Sequence, residues 1–201
     1  MADKILLNKK ESYVFTEEML PCLVTYKEGT GGSHLSIVIV ANLFLQGSKI
    51  LFLTAYPMAK EKFLEQVGDD HSKIAFVSSL EDLSLSVNKQ VIILESGNES
   101  LFIEVVKNLS DIDERITLVK NMEVFSEKVF EACLGLSKII LSGNIDTCVF
   151  GEKISKIDFK TYIAFNQPGV HLPIVVPNLE KYTGFISSGD IKDTITTVVN
   201  S

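Results

Sequence analysis

The sequence predicts an α/β fold: a three-layer, doubly wound, mostly parallel sheet with edge strands in its C-terminal third. Two observations carry this. Apolar runs of strand length alternate along the chain with segments of helical periodicity. Most of those runs, "KILFLT", "VIIL", "ITLV" and "KIIL" being the clearest, are continuous rather than alternating, which is the pattern of strands covered on both faces. With 201 residues, 46% hydrophobic and 22% charged, the chain has the composition of a globular protein with a sizeable core and is read as one domain over residues 1–201.

Taken in order, strands are expected at 23–26, 49–54, 74–77, 90–94, 115–119, 138–141 and 161–165. Helices are expected at 33–46, 58–67, 100–108 and 126–134. Asn98 or Ser100 and Ser126 are placed as caps, and Gly47, Gly68 and Gly135 stand where helices should stop. From about residue 143 the texture changes, with Pro168, Pro173 and Pro177 close together. Proline cannot donate to a ladder, so this last part is expected to supply edge strands and loops laid on the main sheet.

The longest apolar run, 37–45, is broken by Asn42 and falls well short of the roughly 20 residues of a membrane span. The start, "MADKILLNKKES", lacks the long apolar region of a signal peptide, so a cytoplasmic location is expected. Cys22, Cys133 and Cys148 form no C-x-x-C pair and read as small apolar residues. The net charge is −7 and Arg115 is the sole arginine, so nucleic-acid binding has no support in composition. Lys153, Lys156 and Lys160, interleaved with Glu152 and Asp158, read as a solvated face.

The stretch "YKEGTGGSHLSIVIVANLFLQGSKILFLT" is laid out as strand, glycine turn, apolar helix and strand, the order of a phosphate-binding loop. Such a loop follows G-x-x-x-x-G-K-[ST]: backbone N–H groups meet the anion, the lysine reaches the outer phosphates and the hydroxyl binds Mg²⁺. Two registers are open. Counting from Gly29 keeps Ser36 as the hydroxyl but puts His34 at the second glycine and Leu35 at the lysine. Aligning Gly32 with the second glycine puts Ser33 at the lysine, His34 at the hydroxyl and Lys27 at the first glycine. No lysine stands at the required position in either. The candidate phosphate-binding residues are therefore Gly29, Gly31, Gly32, Ser33, His34 and Ser36, with His34 a possible donor in place of lysine.

Over residues 23–54 the helix "SHLSIVIVANLFLQG" followed by "SKILFLTA" resembles the first helix and second strand of the RecA-like P-loop NTPases, with a degenerate phosphate loop. That resemblance implies an acidic residue at the tip of an apolar strand, for magnesium or the attacking water. Here "LFLTAYP" ends without one, "VIILES" ends in Glu95, and "ITLVKN" ends in Lys120 and Asn121 where the acid would stand. Arg115, at the start of a buried strand, is poorly placed to serve a γ-phosphate. Hydrolysis is not expected.

In an open α/β sheet ligands collect at the carboxyl ends of strands, so Glu95, Ser142, Asn144 and Asp146, with Ser96 and Asn98, are a candidate flank of the same crevice. His34, His71 and His171 have no partner at metal-ligand spacing, and no metal site is expected. The leading reading is a non-catalytic, ATPase-like protein with at most weak binding of ATP or phosphate. The resemblance implies assembly, either as a homo-oligomer or with a related ATPase subunit. Three alternatives stay open: an active ATPase with Lys27 or Lys49 as its cation, a Rossmann-type enzyme, and a turn whose glycines bind nothing.

Overall fold

The structure is a computed structural model that describes residues 4–7, 11–68, 71–94, 98–154, 157–165, 179 and 183–198. Its strands form one 11-stranded sheet in the order β2-β1-β11-β10-β9-β3-β8-β7-β4-β6-β5. The parallel part comprises β3 (Cys22–Tyr26), β4 (Ile50–Thr54), β5 (Ile74–Val77), β6 (Val91–Leu94), β7 (Ile116–Lys120), β8 (Ile139–Gly143) and β9 (Thr161–Phe165). Each matches an expected strand to within two residues at either end.

The continuous apolar runs are explained by burial on both sides. Every residue of β3, β4, β6, β7 and β8 is buried. Successive residues go to opposite faces: Ile50 and Phe52 join one apolar cluster, Leu51 and Leu53 the other. The first cluster is closed by α1 (Gly32–Leu45) and α2 (Pro57–Val67), whose Phe63 meets Phe44 and Phe52 edge to face at 6.1 and 5.9 Å. The second is closed by α3 (Leu80–Ser86), α4 (Glu99–Asn108), α5 (Glu127–Cys133) and α6 (Gly151–Ile154). Each fully buried Leu, Ile, Val or Phe contributes roughly 1.5–3 kcal/mol, so these two interfaces dominate the stability of the layers.

Beyond β9 the sheet turns antiparallel. β10 (Gly184–Ser188) pairs with β9, and β11 (Ile191–Val198) pairs with β10. The two strands that finish this side come from the start of the chain, β1 (Lys4–Leu7) and β2 (Glu11–Tyr13). The C-terminal third therefore supplies added strands as expected, but the outer edge is N-terminal. Pro168, Pro173, Pro177 and His171 lie outside the described residues.

Helices α3 and α6 were not expected. In α3 the Ser79 side chain accepts from the Asp82 N–H at 3.1 Å, so a serine-rich stretch of low propensity is started by its cap. Asn98 caps α4, accepting from Leu101 N–H at 3.0 Å. Ser126 does not cap its own helix: its N–H and hydroxyl both donate to the Glu99 carboxylate, tying α5 to α4. No described helix is long and apolar enough to cross a membrane.

Candidate functional site

Parallel strands bring the carboxyl ends of β3, β4, β7 and β8 to one edge, and the glycine turn opens from the first of them. After Tyr26 the chain makes a tight turn, with Thr30 N–H and hydroxyl both donating to Lys27 O at 3.3 and 2.6 Å. Gly31 then caps α1 with φ 95°, a left-handed conformation that side chains resist. At Gly32 the reason for glycine is contact: a Cβ there would lie 2.5 Å from Tyr26 Cβ. The first intrahelical donors are His34 and Leu35, both to Gly31 O at 3.0 and 3.1 Å. Gly32 and Ser33 N–H precede them at the positive end of the helix dipole.

Facing this turn is the last residue of β7. Lys120 is only 1% exposed, and its Nζ donates to Tyr26 Oη and to Ser33 Oγ, each at 2.7 Å. A third contact, to Asn121 Oδ1, is stretched to 3.5 Å. Burial pulls the Lys120 ammonium down to about 7, partly opposed by the nearby Glu123 carboxylate and assisted by the like charge of Lys62. Burial also pushes the Tyr26 phenol up to about 12. Both hydroxyl partners are thus neutral, and no described ion pair includes Lys120.

Two further features surround the ammonium. Asn121 adopts φ 62°, the one positive-φ residue other than glycine among those described, and its amide donates to Tyr26 Oη at 3.4 Å. Ser142, in register with Lys120 on β8, is fully buried, and its hydroxyl near Tyr26 meets no partner at hydrogen-bond geometry among the described residues.

Above these groups opens a cavity of about 810 Å³. Gly29, Gly31 and Ser33 line it from the turn, Lys120 and Asn121 from below, and Asn144 from the end of β8. Its opposite wall is Tyr56, Pro57 and Met58 at the start of α2. Of the expected residues, Gly29, Gly31, Ser33 and Asn144 line this cavity, while Gly32 and Ser142 are buried beside it and do not. Ser36 is fully buried, its hydroxyl donating to Ser33 O at 3.1 Å, and Leu35 belongs to the core. Of the two registers, the one through Leu35 and Ser36 points into the protein, while the one aligned on Gly32 presents Ser33 to the cavity. His34 is not part of the lining. Asp146 is exposed in the turn after β8, its N–H bonded to Asn144 Oδ1 at 3.1 Å, and it does not line the cavity either. Glu95 and Ser96 lie outside the described residues.

The alternative cations part company. Lys27 lines the cavity. Lys49 precedes β4 at the far end of the sheet and is held by Asp111 and Glu114 at 2.9 and 2.8 Å. Arg115 sits there too, buried, donating to Asp111 at 2.9 Å and to the carbonyls of Val87, Lys89 and Gln90. The cysteines are free and buried, and burial raises the Cys133 thiol to about 12 and Cys148 to about 11, which leaves neither as a nucleophile at neutral pH. Sequence reasoning missed Lys120 as a site residue. Its one signal was a lysine closing the apolar run "ITLVK", where a charge needs a partner or a purpose.

No family model matches the chain, and no curated protein sequence matches it. Among solved structures, it is similar to the genome packaging NTPase B204 from Sulfolobus turreted icosahedral virus 2. Against B204 in complex with AMPPCP the TM-score is 0.57 at 14% identity, covering 88% of this chain and 95% of that one. Against B204 with ATP-gammaS it is 0.58 at 14% identity, covering 92% and 100%. The monomer form of the pCW3 conjugation coupling protein TcpA with ATPgS gives 0.59 at 12% identity, covering 96% of this chain and 65% of that one. The fold is that of the RecA-like P-loop NTPases.

In a P-loop NTPase the loop hydroxyl and a strand-tip carboxylate hold Mg²⁺, which requires oxygen ligands at about 2.0–2.1 Å. The residues present do not fit that ion. The tip of β7 carries the Lys120 amino group and no carboxylate, and its Nζ already occupies Ser33 Oγ. Glu123, the carboxylate whose charge acts on Lys120, accepts from Asn144 N–H at 3.0 Å. Among the described residues no group of three His, Cys, Asp or Glu side chains is placed to hold a metal.

Proposed function

We propose that the protein is a non-hydrolysing, ATPase-like protein of the P-loop fold that accepts phosphate groups at the glycine turn and acts by assembling, with copies of itself or with an ATPase partner. One observation carries the reading: Lys120 ends the strand where hydrolysis needs a carboxylate, and its ammonium lies on Ser33. An amino group there offers no oxygen ligand to magnesium, whereas a carboxylate does. Losing one charge-stabilising group of this kind commonly costs a factor of about a hundred to a thousand in rate. Arg115, the sole arginine, is bound at the other end of the sheet and cannot reach a γ-phosphate.

What remains suits binding: a glycine turn at a helix N-terminus, a buried cation and an open cavity. Assembly is supported by the cavity rim, where Tyr56 and Met58 are 50% and 62% exposed beside the site. The reading takes residues 1–201 as one domain in the cytoplasm, consistent with three free cysteines and with antiparallel strands hydrogen-bonded directly to the parallel sheet. A net charge of −7 favours a protein partner over nucleic acid.

The test is ATP turnover by highly purified protein with magnesium, alongside light scattering alone and with candidate ATPases. The expected turnover equals the buffer blank, with a mass above the 22.2 kDa of one chain or a complex with the ATPase. Steady turnover abolished by Ser33→Ala would overturn the proposal.

A further inference from the structure

We infer that the cavity binds a nucleoside polyphosphate free of metal, with the Lys120 ammonium standing in for both the loop lysine and the magnesium ion, so that magnesium opposes binding. The inference rests on the non-hydrolysing reading and adds the ligand and its ionic form.

An ammonium has three donors. Two are spent on Ser33 and Tyr26 at 2.7 Å, and the third meets only the 3.5 Å contact to Asn121, outside normal hydrogen-bond range. A buried cation with neutral partners and an unmatched donor is costly until an anion arrives. The cavity it lines is where an anion can arrive, and Gly31 and Ser33, at the N-terminal end of α1, line it too.

The remaining charges of the lining are arranged by depth. Glu28 and Glu61 are exposed at the rim, as is Lys27, while Lys62 is half-buried. Glu123 is engaged by Asn144. Charges in water are screened, whereas a charge in the interior acts at low dielectric, so the buried Lys120, with Lys62 beside it, sets a positive potential deep in the cavity that the half-buried Glu123 carboxylate opposes in part. Across from it the exposed ring of Tyr56, flanked by Pro57 and Met58, offers a face on which a base can stack. About 810 Å³ is room enough for both ends of a nucleotide.

Magnesium acts against this arrangement on two grounds. It lowers the negative charge of the phosphates that Lys120 attracts, and it brings a dication to within contact of a buried ammonium. Metal-bound nucleotide is thus the weaker ligand, the reverse of what a strand-tip carboxylate produces.

The experiment is calorimetric titration of ATP into the full chain, first with EDTA and then with excess magnesium, repeated with tripolyphosphate and with the variants Lys120→Met and Tyr56→Ala. Binding is expected in EDTA and to weaken about tenfold or more with magnesium; Lys120→Met should lose roughly 10- to 100-fold in EDTA. Tripolyphosphate should bind less tightly than ATP, the gap closing in Tyr56→Ala. The magnesium arm uses the unaltered protein, so it decides the matter even if Lys120→Met does not fold. Equal or tighter binding with magnesium, no binding in either medium, or undiminished binding by a folded Lys120→Met would each overturn the inference. All of these outcomes leave the absence of hydrolysis standing, since only turnover overturns that, while absent binding of tripolyphosphate in both media would also remove phosphate acceptance at the glycine turn.

Discussion

Lys120 Nζ stands 2.7 Å from Ser33 Oγ, although 87 residues separate them in the chain. In the register that faces the cavity, Ser33 occupies the place of the loop lysine, so the cation absent from the turn is delivered to it from the end of β7. The fold makes this possible because β8 lies between β3 and β7, and all three strands end at the same edge.

Burying that ammonium leaves a mark on stability. Lys120 titrates near 7 in the folded protein against 10.5 in an unfolded chain. Between those values the unfolded state holds the extra proton, so stability rises with pH, by up to about 1.4 kcal/mol per unit. Below about 7 both states are protonated and the contribution is flat. Urea midpoints of the wild type should climb from about pH 7 to pH 9 relative to Lys120→Met, in which this slope is absent. Parallel curves for the two proteins would mean that the ammonium is solvated.

The relocated charge also predicts a swap. Ser33→Lys alone places a second ammonium against Lys120 and should lower stability by about 1 kcal/mol or more without improving nucleotide binding. Combined with Lys120→Asp, it restores lysine on the turn and acid on the strand, and binding should become magnesium-dependent. Leu35→Lys, the other register, buries a charge in the core and should cost several kcal/mol. Thermal melts and titrations of the three variants check this ordering.

Gly32→Ala sets a methyl group 2.5 Å from Tyr26 Cβ, a rigid neighbour at the start of its side chain. The expected cost is about 1–3 kcal/mol, as for overpacking a core, and the turn must shift away from Tyr26. Because Tyr26 holds Lys120, phosphate binding should fall with stability. Gly29→Ala, with nothing within 4 Å of its Cβ, carries the strain of a φ of 76° but no collision, and should cost less.

At the far end of the sheet Arg115 bonds to Asp111 and to three backbone carbonyls. Burial alone would raise the Asp111 carboxyl, but bonds from Arg115 and Lys49 outweigh it and hold the carboxyl below its usual value. Arg115→Met removes the side-chain donor to Val87 O and Lys89 O, while Asp111 keeps Lys49 and Gln90 O keeps Ile50 N–H, and should cost about 1–3 kcal/mol in denaturant unfolding. Phosphate binding by the folded fraction should be unchanged, which separates this cluster from the site.

The sheet was legible because burial on both faces demands unbroken apolar runs, and Ile50 to Thr54 or Val91 to Leu94 can be little else. Strand β1 was not, since "KILL" between lysines reads as a terminal apolar patch and becomes a strand only by pairing with β11, at the other end of the chain. The glycine turn was legible from Gly29, Gly31 and Gly32, and its register was not, because choosing between Ser33 and Leu35 requires knowing which one faces the core. Lys120 was visible as the residue standing where an acid belongs. That it reaches the turn depends on the order of strands β3, β8 and β7, which no local pattern contains.

Lys120 is the cation on which phosphate binding depends, and its amino group can be followed directly. Its Nζ and Cε resonances, assigned by comparison with Lys120→Met, can be titrated in metal-free buffer with and without inorganic phosphate. The groups facing it are Tyr26 from β3, Ser33 from α1, Asn121 and Glu123 after β7, and Lys62 from α2. Without phosphate the midpoint should fall near 7. A bound anion favours the charged form, so phosphate should shift the resonances and raise the midpoint by about one unit, with binding fading as pH rises through it. A midpoint near 10.5 without phosphate, or resonances that phosphate leaves unmoved, would contradict the account.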